Sequence, residues 1–250
     1  KHQVTHLGIS PTLIRTLMTM DESYATKHDV SSLKMVGSTG EPWNEEPWMW
    51  LFDKVLDRNV PIVNYSGGTE ISGGILTNVL VKPIAPIAFN SAVPGMDVDV
   101  YDDNGQSVKN EVGELVIKQP WVGMTKGFYQ DNERYENTYW NRYPDTWCHG
   151  DWVIYDQEGF YTITGRSDDT LNVAGKRIGP AELESIYVEH GAVVEAGVIG
   201  VPHEVKGESP IAFVVVKDTN KSESELLEEL TNHAIERLGK AIAPRDVYIV

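Results

Sequence analysis

The sequence predicts an α/β chain that passes into α+β. Part of an α/β parallel-sheet subdomain is expected over residues 1–88, a small β-barrel-like subdomain over 89–168, and a small C-terminal α+β domain over 169–250. Three observations predict this. A strand-like apolar run enters a glycine-rich corner twice in the first third, the texture turns to short strands and tight turns near Phe89, and after Asp168 capped helical stretches alternate with β-rich runs.

Pro11 to Met20 has helical apolar spacing through Leu13, Ile14, Leu17 and Met18. Leu33 to Val36 is a short apolar run leading into Gly37-Ser38-Thr39-Gly40-Glu41-Pro42. Trp48 to Leu56 is helical again, with Leu51, Phe52 and Val55 on one side. Pro61 to Tyr65 reads as a buried strand running into Ser66-Gly67-Gly68-Thr69-Glu70, and two such strand-then-corner units suit a parallel sheet with its ligand edge at the strand ends. Met96 to Tyr101 alternates and ends in the hairpin turn Asp102-Asp103-Asn104-Gly105, which Gly113 to Lys118 answers as partner. Trp152 to Tyr155 and Phe160 to Thr164 form a second hairpin around Asp156-Gln157-Glu158-Gly159, giving either a barrel-like subdomain or a distorted sheet. Pro180 suits the first turn of a helix and Gly191 its stop. Val193 to Val201 and Ile211 to Lys217 are β-rich. Ser222 with Glu225 makes a capping box, after which Leu227, Leu230, Ala234 and Leu238 keep helical spacing, and Val247 to Val250 begins another strand.

Composition narrows the function classes. A net charge of −16 excludes a nucleic-acid coat, which needs a broad basic field, but permits a small anionic ligand that needs only a local cation cluster. Lys176, Arg177, Lys206, Arg237, Lys240 and Arg245 in the last third are candidates for one, although each alone reads as a solvated surface cation. No run reaches the apolar length of a membrane span, and no signal peptide is expected. One cysteine, Cys148, cannot form an internal disulfide, which points to a reducing cytoplasm. His2 and His6 are spaced i,i+4 without a glutamate between them, and metal ligation there is not expected.

The densest chemistry lies between Trp147 and Glu184. Gly150-Asp151 falls between strand-like runs, followed by Thr164-Gly165-Arg166, a Ser167-Asp168-Asp169 corner and Gly175-Lys176-Arg177 before a helix start. A carboxylate, two arginines and glycines at one corner supply what a nucleoside phosphate needs: acceptors for a ribose diol, cations for phosphate, and bare backbone for close approach. Asp151 can accept from both ribose hydroxyls at once. His149 reads as a packed or hydrogen-bonded histidine.

These motifs closely resemble those of the adenylate-forming enzymes, specifically the AMP-forming acyl-coenzyme A synthetases of the acetyl-CoA synthetase type. The resemblance covers essentially the whole chain. It implies that Gly40, Glu41 and Pro42 pack beside adenine, that Thr69 donates to the α-phosphate, and that Glu70 holds the Mg²⁺ that neutralises the phosphates of ATP. It further implies that Asp151 and Arg166 hold the ribose or a phosphate, that Asp168 is a hinge to a mobile small domain, and that Gly175 and Arg177 meet the coenzyme A arm. Gly67 stands where the acetate-activating relatives carry a tryptophan over a small acyl pocket, so a carboxylic acid larger than acetate is expected.

Two features of that family are missing from these residues: a Ser/Thr/Gly-rich phosphate loop ahead of the motifs, and a C-terminal Ser-Gly-Lys turn whose lysine reaches the reacting groups. The Lys1 start reads as the middle of a domain and the end as a strand cut short, so a fragment inactive in adenylation on its own is expected. Two other readings stay open: an adenylating enzyme that loads a carrier protein, and a non-catalytic nucleotide-binding or regulatory module.

Overall fold

A computed structural model of the chain describes residues 2–174, 176–203, 207–217 and 220–250, without the side chains of Ala25 and Arg177. The first half contains strand β1 (His6–Ile9), helices α1 (Pro11–Met18) and α2 (Ser23–Thr26), strand β2 (Met35–Ser38) and helix α3 (Glu45–Trp50), which runs into a π-helical turn, Leu51–Val55. Strands β3 (Ile62–Gly68), β4 (Gly73–Thr77), β5 (Ser91–Ala92), β6 (Val98–Tyr101) and β7 (Val112–Ile117) follow, then helix α4 (Asn132–Tyr139). The remainder is β8 (Trp147–Tyr155), β9 (Tyr161–Arg166), β10 (Leu171–Val173), β11 (Lys176–Ile178), α5 (Pro180–Val188), β12 (Val193–His203), β13 (Gly207–Val216), α6 (Glu223–Leu238) and β14 (Asp246–Ile249). Two compact units divide the chain: Lys1–Pro11 with Ala25–Thr164, and Thr12–Tyr24 with Gly165–Val250.

The first unit holds two sheets. One has the order β1-β2-β3-β4-β5, and its first three strands are parallel; the repeated strand-and-corner pattern predicts the β2–β3 pair, whereas β1 carries no such signal. Ser38 at the end of β2 lies opposite Asn64 in β3, so the loops that leave these strands emerge from the same sheet edge. The glycine-rich segment after Tyr65 is not the corner expected of it. β3 continues through Gly68 and pairs antiparallel with β4, with a register irregularity between Ser66 and Gly67. A Cβ on Gly67 would run into the backbone carbonyl oxygen of Gly73, so this close approach admits only glycine.

The other sheet, β6-β7-β8-β9, is open and antiparallel; of the barrel or distorted sheet expected, the chain builds the open sheet. Asp102 to Gly105 turns the chain back so that Ser107 bridges Tyr101 before β7 pairs with β6, with Gly105 in the left-handed region at φ +74° and its amide donating to the Asp102 carbonyl. Helix α4 caps the core through two aromatic residues one turn apart. Tyr139 stacks on buried Trp147 at 3.9 Å, and Tyr135 lies 5.9 Å from the same indole. Its sequence, NERYENTY, otherwise has no apolar stripe, which is why periodicity does not announce it.

The second unit is one sheet, β11-β10-β13-β12, with β14 parallel to β13. Pro180 occupies the first turn of α5 and Ser222 with Glu225 makes a reciprocal capping box at α6, both as the residue types predict. Leu183 and Tyr187 of α5 and Leu226, Leu230 and Ala234 of α6 bury against Val198, Ala212 and Val214 of the sheet. The buried stripe of α6 therefore begins at Leu226, one residue before the expected Leu227. Among the described residues no helix is long and apolar enough to cross a membrane.

Two outcomes are expected. Gly67→Ala should cost about 1–3 kcal/mol, because the methyl group must push the β3 and β4 backbones apart; urea unfolding of the variant measures it. Ser222→Ala should cost about 1 kcal/mol, and amide hydrogen exchange should speed up first in the opening turn of α6.

Candidate functional site

The loop after β2 starts from a buried anchor. Ser38 is fully enclosed, and its hydroxyl accepts from the Trp43 indole N–H at 2.8 Å, while Trp43 meets Trp48 of α3 edge to face at 5.3 Å. Between these fixed points the chain must reverse, and Gly40 does so at φ +108°, a conformation that side chains resist. Glu41 is half-buried and Pro42 exposed.

The turn after β3 carries the other predicted pair. Ile71 and Ser72 donate to the carbonyls of Gly68 and Thr69, which leaves Thr69 exposed and Glu70 half-buried at the turn. A strap from Trp121 to Thr125 fastens this turn from outside. The Thr125 amide donates to the Glu70 carbonyl at 3.1 Å, the Trp121 indole N–H to the Ile71 carbonyl at 2.9 Å, and the Tyr135 hydroxyl to the Thr125 carbonyl at 2.6 Å. Gly123 passes so close that a Cβ would stand 2.6 Å from the Ile71 oxygen. None of these strap residues carries a sequence signal for this role, because each contact runs from a side chain or amide to a distant backbone carbonyl.

Strand β8 supplies the third component. The two-residue step from Glu114 to Val116 in β7 faces a four-residue step from Cys148 to Trp152 in β8, so His149, Gly150 and Asp151 form a bulge. Gly150 takes φ +87° there. His149 and Asp151 are 7% and 6% exposed, with Nε2 and Oδ2 3.7 Å apart. A Cβ on Gly68 would stand 3.3 Å from His149 Cε1. His149 is thus packed, as expected, and it joins two predicted motifs: the β3 turn lies against the bulge that carries Asp151.

The bulge rests on a residue that the sequence reading misses. Glu114 has no exposed surface; one carboxylate oxygen accepts from the Gly150 amide at 2.8 Å and the other from Arg142. Arg142 reaches on to Asp103 at 3.0 Å. Burial, and then the adjoining Glu114 charge, push the Cys148 thiol up to about 12, so this buried cysteine is an inert neutral group.

In the second unit Arg166 forms a two-pronged ion pair with Asp168, Nε to Oδ1 at 2.8 Å. Both side chains are about half exposed. Gly175 and Lys206 lie outside the described residues. The Arg177 backbone belongs to β11 and sits opposite Asn172 of β10.

Comparison with known proteins places the chain. The AMP-binding enzyme family matches residues 1–129, and the AMP-binding enzyme C-terminal domain matches residues 182–250. Acetyl-coenzyme A synthetase of Pyrobaculum arsenaticum is 41% identical over 254 aligned positions, covering 100% of this chain and 38% of that protein. The acetoacetyl-CoA synthetase of Streptomyces lividans superposes with a TM-score of 0.84 at 27% identity, covering 99% of this chain and 38% of its own. An anthranilate CoA ligase crystallised with anthranoyl-AMP gives a TM-score of 0.82 at 26% identity, covering 100% and 46%. The chain thus spans little more than a third of the length of the curated relatives it matches. With more than half of its residues inside one family match, the chain belongs to the AMP-binding enzymes.

Proposed function

We propose that the protein works as an AMP-forming acyl-CoA synthetase. A carboxylic acid attacks the α-phosphorus of ATP, forming an acyl-adenylate and releasing pyrophosphate; the thiol of coenzyme A then attacks the acyl carbon and releases AMP. The observation that supports this reading best is the packing of the Gly68-Thr69-Glu70 turn against the bulge of His149 and Asp151. A phosphate-facing hydroxyl and a ribose-facing carboxylate must lie within one nucleoside of each other, and the fold brings their segments into contact.

Each residue then has a task. Gly40, Glu41 and Pro42 seat the adenine at the shared edge of β2 and β3. Thr69 donates to the α-phosphate from its exposed turn. Asp151 accepts from the ribose hydroxyls, and because it is nearly enclosed, water competes poorly for it. Arg166 is assigned to the ribose or a phosphate, and Gly175 and Arg177 to coenzyme A, on the resemblance of their motifs. Asp168 is the proposed pivot; the division between the two compact units falls at Gly165, close before it.

Mg²⁺ fits the residues present. No group of three acidic, histidine or cysteine side chains among the described residues could cage a metal, whereas a single carboxylate plus nucleotide phosphates is how this ion is ordinarily held. Glu70 would hold it, and the ion when bound offsets phosphate charge.

The acyl group is proposed to be larger than acetate, because position 67 carries no side chain. The relatives named acetyl-CoA synthetase argue for the smaller acid, and a panel of acids separates the two. The free, buried Cys148 supports a reducing cytoplasm as the compartment.

The test is pyrophosphate release from the full-length protein and from this 250-residue chain, each with MgATP, coenzyme A and a series of carboxylic acids. Release by the full-length protein alone is expected, and the acid that stimulates it names the substrate. Adenylation without transfer to coenzyme A would point to a carrier-protein acceptor; silence with nucleotide still bound would point to a non-catalytic module. Asp151→Ala in the full-length protein should weaken ATP binding ten- to a hundredfold, as expected for loss of a charged hydrogen-bond acceptor. Unchanged affinity would withdraw the ribose assignment.

A further inference from the structure

The nucleotide reading gives Asp151 its task but does not explain what holds a carboxylate in the middle of an irregular strand. Backbone amides inside a sheet need acceptors, and a bulge removes the ladder that supplies them. At Gly150 the acceptor is a side chain from the neighbouring strand: Glu114 Oε1 takes the Gly150 N–H at 2.8 Å. The orientation of this peptide sets the directions in which His149 and Asp151 leave the backbone on either side. Gly150 itself cannot enforce it, because a glycine at φ +87° has other conformations within easy reach.

Glu114 is an expensive choice for a merely structural acceptor. A fully enclosed carboxylate must be compensated on both oxygens, and here a backbone amide serves one and the Arg142 guanidinium the other. Arg142 is held in turn by Asp103 at 3.0 Å, and its guanidinium lies over the rings of Tyr143 and Trp152, 5.3 and 5.4 Å from their centroids. Trp152 is the residue that ends the bulge. The chain Asp103–Arg142–Glu114–Gly150 thus runs from an exposed turn to the residue adjoining Asp151, and every link is a charged hydrogen bond. A neutral, locally bonded turn would satisfy one amide with far less.

We infer that Glu114, held by Arg142, is a positioning residue for nucleotide binding: it fixes the His149-Gly150-Asp151 bulge so that the Asp151 carboxylate is aimed before the ribose arrives. The inference rests on the proposed ribose contact of Asp151.

The experiment compares binding of ATP with that of 2′,3′-dideoxy-ATP to the full-length protein and its variants. The wild type should bind ATP at least tenfold more tightly than the dideoxy analogue. In Glu114→Ala that ratio should fall to about two or less, with affinity for the dideoxy analogue nearly unchanged. Glu114→Gln keeps one acceptor for the Gly150 amide but turns an NH2 towards Arg142, and should give a ratio between those of the wild type and Glu114→Ala. A purely structural role would weaken both nucleotides alike and leave the ratio intact, which would overturn the inference. Absence of discrimination in the wild type is a separate failure: it would remove the ribose reading, and with it what Glu114 is said to position. If Glu114→Ala does not fold, Arg142→Ala, changed at a partly exposed side chain, takes its place. Its ratio should fall several-fold, and an unchanged ratio there would also overturn the inference.

Discussion

A carboxylate with no exposed surface constrains everything around it. Removing the charge of Glu114 from water costs several kcal/mol, and the cost is met only if both oxygens keep strong donors. The arrangement of the β6–β9 sheet follows from this. β7 must run beside a bulge with an amide to offer, the bulge must contain a residue that tolerates φ +87°, and the segment between α4 and β8 must deliver an arginine to the opposite oxygen. Gly150, Arg142 and the extra residues of β8 are therefore one structural decision. Asp151 is placed by that decision, although it makes none of these contacts itself.

Much of the frame was legible because its causes are local. A serine three residues before a glutamate, a proline at a helix start and an Asp-Asp-Asn-Gly turn each act within a few residues, and each is found where its chemistry predicts. Parallel β2 and β3 were legible for a related reason, since a buried strand ending in a small flexible residue leaves few alternatives; the mostly exposed β1 gave no such signal. What stayed hidden acts across long separations. Glu114 is 36 residues from Gly150 and Trp121 is 50 from Ile71, and nothing in a glutamate or an indole says which distant backbone group it will meet. Helix α4 was hidden differently: its two core-facing tyrosines sit in a sequence otherwise made of residues that solvent accepts.

Glycine was the least transparent residue in both directions. Gly67 and Gly68 suggest a turn, yet they continue a strand; at Gly67 the β3 and β4 backbones pass too closely for a side chain, whereas Gly68 faces the His149 ring. Position 67 therefore has a reason to be glycine that concerns the β3–β4 pair alone, independent of any pocket. Gly40 was expected beside a ligand and Gly150 only before Asp151, and the structure adds that both hold left-handed backbone. One residue type serves opposite ends, and only the neighbouring strand tells them apart.

The strap over the β3 turn has a thermodynamic corollary. The carbonyls of Glu70 and Ile71 are tied through Thr125 and Trp121 to Tyr135, and Tyr135 belongs to the aromatic cluster around Trp147. A surface turn that would ordinarily fluctuate is thereby moored to a ring system centred on the fully buried Trp147. Fixing each backbone residue costs about 1–2 kcal/mol of conformational entropy, and here that loss is incurred when the chain folds. The ligand proposed for Thr69 and Glu70 would meet groups already tied in place, so its binding enthalpy would not be spent on quieting that turn.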